Sequence, residues 1–296
     1  MMRVVDAATI ARVLPFAAAI HALEEALLGG LDPEAEPSRQ VVPSGAGHLL
    51  VMPSTARAGV KVVAVAPDAR SGPRIQGLHL AFDRRTLAPR AVLDGAALTL
   101  VRTAAVSALA LARLAPDARR VVVFGAGPQA ASHVAAARVV LPSLEVAVRA
   151  RDPVRAAALI AALRDARPAV DADLAQADVV ICCTTARTPL FDGRVVAPHA
   201  AVVAIGSHEP DAREVDEHLV ARATVVVEAR AAAEREAGDL LIARRLGVSS
   251  PWLTLAELVA GAPIDPGRPR LFKSVGMAWE DAVIADALLD RLDAGA

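Results

Sequence analysis

Three observations predict a chain of two parts. An apolar run, Arg120–Phe124, leads directly into Gly125-Ala-Gly127-Pro-Gln-Ala130 and then into Gln129–Val140, a stretch free of Gly and Pro. From Arg119 onward short apolar runs alternate with helical stretches, the signature of a parallel sheet, whereas the preceding residues read as short strands separated by turn chemistry. At 296 residues the chain is long for one compact domain and long enough for two. The fold class is therefore α/β: a Rossmann-type nucleotide domain joined to an α+β domain.

Each position of the glycine turn has a physical task. Gly125 lets the chain turn tightly off the strand, and Gly127 lets the backbone approach a pyrophosphate. Pro128 and Gln129 open the helix, and Ala130 takes the position where a larger side chain would push helix from strand. The free N–H groups and positive dipole end of that helix then face the phosphates.

In chain order, Val5–Leu28 has apolar residues at helical spacing, ends at Gly29-Gly30 and reads as one or two helices. Strands follow at Arg39–Val42, His48–Met52, Gly59–Val65, Ile75–Phe82 and Ala91–Leu93, with turns at Pro43–Gly45, Pro53-Ser54, Pro67–Gly72 and Asp83–Arg85. An antiparallel sheet fits them. Thr99–Leu114 is a long helix leading into the nucleotide domain, whose strands after Arg120–Phe124 are Leu144–Val148, Ala169–Ala172, Val179–Cys183, Ala200–Ile205 and Thr224–Glu228. A helix is expected over Pro153–Arg164, and the tail Leu271–Leu292 reads as a strand end followed by a helix near Gly276 that returns to the first domain.

A net charge of −1 leaves no electrostatic footprint for nucleic acid or an anionic membrane surface. The 54% apolar content combined with 2% aromatics reflects Ala and Val, which suit helices packed closely on a sheet. No stretch reaches membrane-span length without a charge, and no secretory leader is recognisable, so a soluble protein is expected. The only two cysteines, Cys182 and Cys183, are adjacent in a strand and point to opposite faces, which disfavours a mutual disulfide and favours a reducing, cytoplasmic setting.

After the second strand of such a domain an acidic residue usually holds the adenosine ribose of NAD, and arginines there accommodate the extra phosphate of NADP. Here the residues are Arg149-Ala150-Arg151-Asp152. The two arginines favour NADPH, with NADH kept open by Asp152. Thr184, Thr185 and Ser207 follow strands whose ends face the cofactor in this fold. No metal site is expected.

Lys61 is a single cation in an otherwise apolar strand, where an unpaired ammonium is costly. Burial lowers a lysine's pKa and fits it for proton transfer near neutral pH. Arg102 has no acidic residue within four positions and reads as a free guanidinium near a helix N-terminus, suited to a carboxylate ligand.

Several stretches together resemble the ornithine cyclodeaminase and mu-crystallin family over essentially the whole chain. They are Met52-Pro53, Gly59-Val-Lys61-Val-Val, Arg102-Thr-Ala-Ala, the Gly125–Ala130 turn, Gly206-Ser-His-Glu-Pro-Asp211-Ala-Arg-Glu214-Val-Asp216, Glu236-Ala-Gly-Asp239 and Phe272-Lys-Ser-Val-Gly-Met277. The resemblance implies a homodimer, with a substrate and dimerisation domain over 1–115 plus 271–296 and an NAD(P)-binding domain over 116–270. It also implies that Lys61 lies beside the substrate, that Arg39 and Arg102 hold a substrate carboxylate, and that Ser274 and Val275 come back over the nicotinamide.

The cyclodeaminases of the family carry an aspartate where this chain has His208 and a glutamate where it has Leu50. With both carboxylates missing, the resemblance is to the reductase branch, and the expected reaction is NAD(P)H-dependent reduction of a cyclic 2-imino acid such as 1-pyrroline-2-carboxylate or 1-piperideine-2-carboxylate. His208 is a candidate proton relay. The alternatives are an ornithine or lysine cyclodeaminase, an alanine dehydrogenase-like enzyme, and a non-enzymatic NADPH-binding protein.

Overall fold

The computed structural model describes residues 2–66, 73 and 75–295. They divide into two compact units, Met1–Ala105 with Met277–Ala296, and Val106–Gly276. The turn expected at Pro67–Gly72 lies outside the described residues.

The first unit opens with β1 (Arg3–Val5), α1 (Ala7–Val13) and α2 (Phe16–Leu28). Pro15, which cannot continue a helix, separates the two helices. Strands β2 (Gln40–Ser44), β3 (Gly47–Ser54), β4 (Gly59–Val65), β5 (Ile75–Phe82) and β6 (Pro89–Asp94) build a six-stranded sheet in the order β1-β6-β5-β4-β3-β2. It is antiparallel, as expected, except that β1, too short to show a pattern in sequence, pairs parallel to β6.

Alternation along β3 to β6 buries one face, where Leu50, Met52, Val63 and Val65 cluster with Ala278. The register sets Met52 opposite Lys61, Lys61 opposite His79, and His79 opposite Leu93, so two polar side chains sit in one row between apolar ones.

α3 (Gly95–Leu114) starts a turn earlier than expected because Asp94 caps it, its carboxylate accepting from the Ala97 N–H at 2.9 Å. The partition between the units falls inside this helix, at Ala105, rather than after it.

The second unit holds β7 (Arg120–Phe124), α4 (Pro128–Val140), β8 (Glu145–Arg149), α5 (Pro153–Ala162), β9 (Ala166–Pro168), α6 (Asp171–Gln176), β10 (Val179–Cys182), β11 (Ala201–Ala204), α7 (Glu217–Arg222) and β12 (Thr224–Val227). It continues through α8 (Arg230–Glu236), α9 (Gly238–Arg245), β13 (Trp252–Thr254), α10 (Leu255–Val259) and β14 (Arg270–Lys273). The strand expected at Ala169–Ala172 is displaced to 166–168. Asp171 and Asp173 instead start α6, Asp173 reaching back to the Val170 N–H at 2.7 Å.

These strands form one eight-stranded parallel sheet in the order β13-β12-β14-β11-β10-β7-β8-β9. The chain runs outward from β7 through β8 to β9 and then returns to place β10 on the other side of β7, which makes a topological switch point between β7 and β10. β14 lies inside this sheet between β11 and β12, so residues 271–276, expected with the first domain, belong to the second unit. α11 (Ala278–Asp293) does return to the first unit, where it packs against α2 and over β3, β4 and β5.

Candidate functional site

In the first unit a charged cluster is buried under α11. Lys61 projects from the inward face of β4 and is 1% exposed. Its Nζ donates to Asp281 Oδ2 at 2.6 Å and to Thr99 Oγ1 at 3.3 Å. Arg102, also buried, donates from Nη1 to Glu280 Oε2 at 2.8 Å, and its Nε lies 3.3 Å from Asp281 Oδ1. Glu280 and Asp281 are both fully buried in the first turn of α11, where helix polarity favours negative charge.

Burial pulls the Lys61 ammonium down to about 8, Arg102 and Arg39 adding to the fall and Asp281 opposing it. Asp281 stays below the ordinary carboxylate range despite burial, because Lys61 and Arg102 stabilise its charge. Arg39, half-buried just before β2, is thus close enough for its charge to act on Lys61.

Lys61, Arg102 and Arg39 therefore lie near one another, and two expectations are corrected. Arg102 lies within α3, not at its N-terminus, and it is paired with Glu280 and Asp281. The cluster is also not without carboxylates: Glu280-Asp281, distant in sequence, supplies them. The signal was present as two adjacent acids in an otherwise apolar stretch just after Gly276-Met277.

The second unit presents the dinucleotide turn at its switch point. Gly125 has φ +115°, and a Cβ on it would collide with the Cys183 carbonyl oxygen at the end of β10. Gly127 caps α4 in extended conformation with Pro128 at the first helical position and no side-chain cap, and a Cβ on it would meet no protein atom. The packing thus requires glycine at Gly125, while Gly127 is needed only if a ligand approaches the backbone, as a pyrophosphate would. Ala130 is fully buried, and the Gln129 carbonyl accepts from His133 Nδ1 at 2.8 Å, fixing the first turn. These residues fit a dinucleotide.

At the end of β8, Arg149 is half-exposed and pairs with the exposed Asp171 at 2.8 Å, and Arg151 is exposed. Asp152 is occupied as the cap of α5, accepting from Val154 and Arg155 N–H groups.

The loops after β10, β11 and β14 are tied together by buried charges whose roles sequence reasoning missed. Glu214 accepts from Thr184 N, Thr184 Oγ1 and Gly206 N, each at 2.7 Å. Asp239 accepts from Glu214 N and Val215 N and pairs with Lys273 at 2.8 Å. Glu228 accepts from Ser274 Oγ at 2.6 Å and from Val275 N and Gly276 N at 2.9 Å each.

The hydroxyl protons of Thr184 and Ser274 are therefore committed to carboxylates, and Ser207 Oγ donates to Ala212 O at 2.9 Å. This restricts what those hydroxyls can offer a cofactor to accepting. Thr185 is exposed, Val275 is buried, and His208 is half-buried on the loop after β11. Burial holds the Cys182 and Cys183 thiols well above their usual range, so neither is a thiolate.

A parallel sheet whose order reverses at a glycine turn without a side-chain cap defines a Rossmann-type dinucleotide-binding protein. The chain belongs to the ornithine cyclodeaminase/mu-crystallin family, whose model matches residues 3–296. It is 37% identical to a Delta(1)-pyrroline-2-carboxylate/Delta(1)-piperideine-2-carboxylate reductase of Azospirillum brasilense, over 98% of this chain and 96% of that one. It is 34% identical to the ketimine reductase mu-crystallin of Mus musculus, over 88% and 86%. Among solved structures, the Thermococcus litoralis Delta(1)-pyrroline-2-carboxylate reductase in complex with NADH and L-proline superposes with a TM-score of 0.92 at 28% identity, covering 99% of this chain and 98% of that one.

Proposed function

We propose that this protein is an imine reductase that converts a cyclic 2-imino acid, such as 1-pyrroline-2-carboxylate or 1-piperideine-2-carboxylate, to the L-amino acid, with NADPH as preferred cofactor and NADH as a second. The observation that carries the reading is the buried Lys61, held protonated by Asp281 and poised near 8 with Arg102 and Arg39 close by. Three cations against two carboxylates suit a substrate bearing one negative charge. The relatives named as reductases of such imines support the same chemistry.

When bound, the reduced nicotinamide supplies the hydride that adds to the imine carbon. Lys61 gives a proton to the imine nitrogen, and Arg102 and Arg39 hold the carboxylate, so that positioning supplies much of the rate. Gly125, Gly127, Pro128, Gln129 and Ala130 hold the pyrophosphate, and Arg149 and Arg151 the extra ribose phosphate. Thr184, Thr185, Ser207, Ser274 and Val275 contribute cofactor contacts, although the N–H groups of Thr184, Ser274 and Val275 are already given to Glu214, the Ala204 carbonyl and Glu228. Exposed Val41, Val42 and Leu78 on the sheet of the first unit support a homodimer, and the unpaired cysteines accord with a cytoplasmic enzyme.

The test is oxidation of NADPH and of NADH against a panel of cyclic and linear imino acids, with proline or pipecolate identified as product. Ammonia release from ornithine is measured in parallel. Turnover of a cyclic imine with negligible ammonia release is expected; ammonia release without imine reduction would overturn the reading.

A further inference from the structure

Glu214 is fully buried between the loops that follow β10 and β11. Its Oε1 accepts from Thr184 N and Thr184 Oγ1, and its Oε2 from Gly206 N, so each loop holds one of its oxygens. Burial pushes this carboxyl up, against the pull of Lys273 and of the Thr184 and Gly206 donors. Apolar packing could close the same gap without burying a charge; what the carboxylate adds is a fixed direction for two peptide groups.

That direction reaches the glycine turn. In a trans peptide the N–H and the preceding C=O point opposite ways, so a Thr184 N–H aimed at Glu214 turns the Cys183 carbonyl away from it. The Cys183 carbonyl is the group that a Cβ on Gly125 would strike. A Cβ on Gly206 would strike the Thr184 carbonyl and Glu214 itself. The glycine turn and the two loops are therefore stacked in direct contact, with Glu214 clamped between the loops.

Glu214 is anchored in its turn. Its N–H and that of Val215 donate to Asp239 Oδ1 at 2.7 and 2.9 Å, and Asp239 pairs with Lys273. Lys273 Nζ donates to the Ser207 carbonyl at 2.6 Å, which closes the ring on the loop after β11. Asp239 and Lys273 are as buried as Glu214.

In a sheet of this order the adenosine ribose is held after the second strand and the pyrophosphate at the turn after the first. The ends of β10 and β11, on the other side of β7, are left for the nicotinamide half. We propose that Glu214 is a positioning residue for that half of the cofactor, setting the spacing and peptide orientation of the two loops it lies against. The inference rests on the proposed function, in which these loops contact the cofactor; its binding readout does not depend on imine turnover.

The experiment compares wild type with Glu214→Gln and Glu214→Asp. Glutamine keeps the size but exchanges one acceptor oxygen for a donor, so one loop N–H loses its partner. Aspartate keeps the charge but is one methylene too short to hold both loops. Calorimetry should show NADPH binding about tenfold more weakly to both variants, and adenosine 2′,5′-bisphosphate, which carries the adenosine half alone, within about twofold of wild type. Equal weakening of both ligands is damage to the whole domain and overturns the proposal, as do unchanged NADPH binding and full recovery in Glu214→Asp. In the imine assay kcat at saturating NADPH should fall about tenfold with KM for the imine within about twofold; an unchanged kcat overturns the proposal.

If neither variant folds, amide hydrogen exchange on the cofactor-free wild type decides. The Thr184 and Gly206 N–H groups should be as protected as those of β10 and β11 and gain nothing from NADPH, because the frame is already set. Exchange as fast as an exposed loop until NADPH binds overturns the proposal. If wild type binds NADPH but reduces no imine, the proposed function fails, while the two-ligand comparison still decides the role of Glu214.

Discussion

Replacing Asp281 with asparagine removes the counter-charge of Lys61 at nearly constant volume. In the wild type, burial and Arg102 pull Lys61 down to about 8 against the hold of Asp281. Without Asp281 the lowering causes stand unopposed, and Lys61 becomes neutral at pH 7. That neutralisation limits the damage: holding a lysine neutral one pH unit below its former pKa costs about 1.4 kcal/mol. With the loss of the counter-charge beside Arg102 added, the total is about 2–3 kcal/mol, less than the roughly 3–5 kcal/mol of an unrelieved buried charge.

Because the folded value of Lys61 lies below the 10.5 of an exposed lysine, between about 8 and 10.5 the unfolded chain keeps a proton that the folded one has released. Wild-type stability from this group therefore rises with pH across that window. In Asp281→Asn the window opens at lower pH, so the deficit against wild type should be largest near neutrality and narrow sharply above about pH 8, once Lys61 is neutral in both proteins. Urea unfolding at a series of pH values measures this. In the imine assay the alkaline limb of kcat/KM, near 8 in wild type, should move at least one pH unit lower. A deficit constant across pH, or an unmoved limb, would refute the reasoning.

Two further outcomes concern the second unit. Gly125→Ala places a Cβ against Cys183 O in a backbone region that L residues rarely adopt, so it should destabilise by about 3 kcal/mol and abolish NADPH binding followed by fluorescence. Wild-type stability with intact binding would contradict the assigned geometry. Arg149→Ala with Arg151→Ala should raise KM for NADPH about tenfold, equivalent to about 1.4 kcal/mol, and leave that for NADH within twofold. Equal changes for both cofactors would remove the phosphate role.

The readable parts of the sequence were those whose signal is local. Arg120–Phe124 followed by the glycine turn fixes a strand, a tight turn and a helix within about twenty residues, and the structure places them at the switch point. Lys61 was legible because one cation interrupts an otherwise apolar strand. What escaped depends on distance or brevity. β1 and β13 are three residues each, too short for periodicity to register. Glu280 and Asp281 meet Arg102 and Lys61 only after the chain has passed through the whole second unit, so the residues next to Arg102 in sequence give no sign of its partners. The pairing of Lys61 with His79 was equally invisible, because only the register of β4 against β5 sets the two side by side.

The most direct measurement of the central claim is the reduction of 1-pyrroline-2-carboxylate by NADPH in wild type and Lys61→Ala, with cofactor binding measured on both. Lys61→Ala should bind NADPH as wild type does but lose at least a hundredfold in kcat, about 2.7 kcal/mol. Full turnover by Lys61→Ala would contradict it.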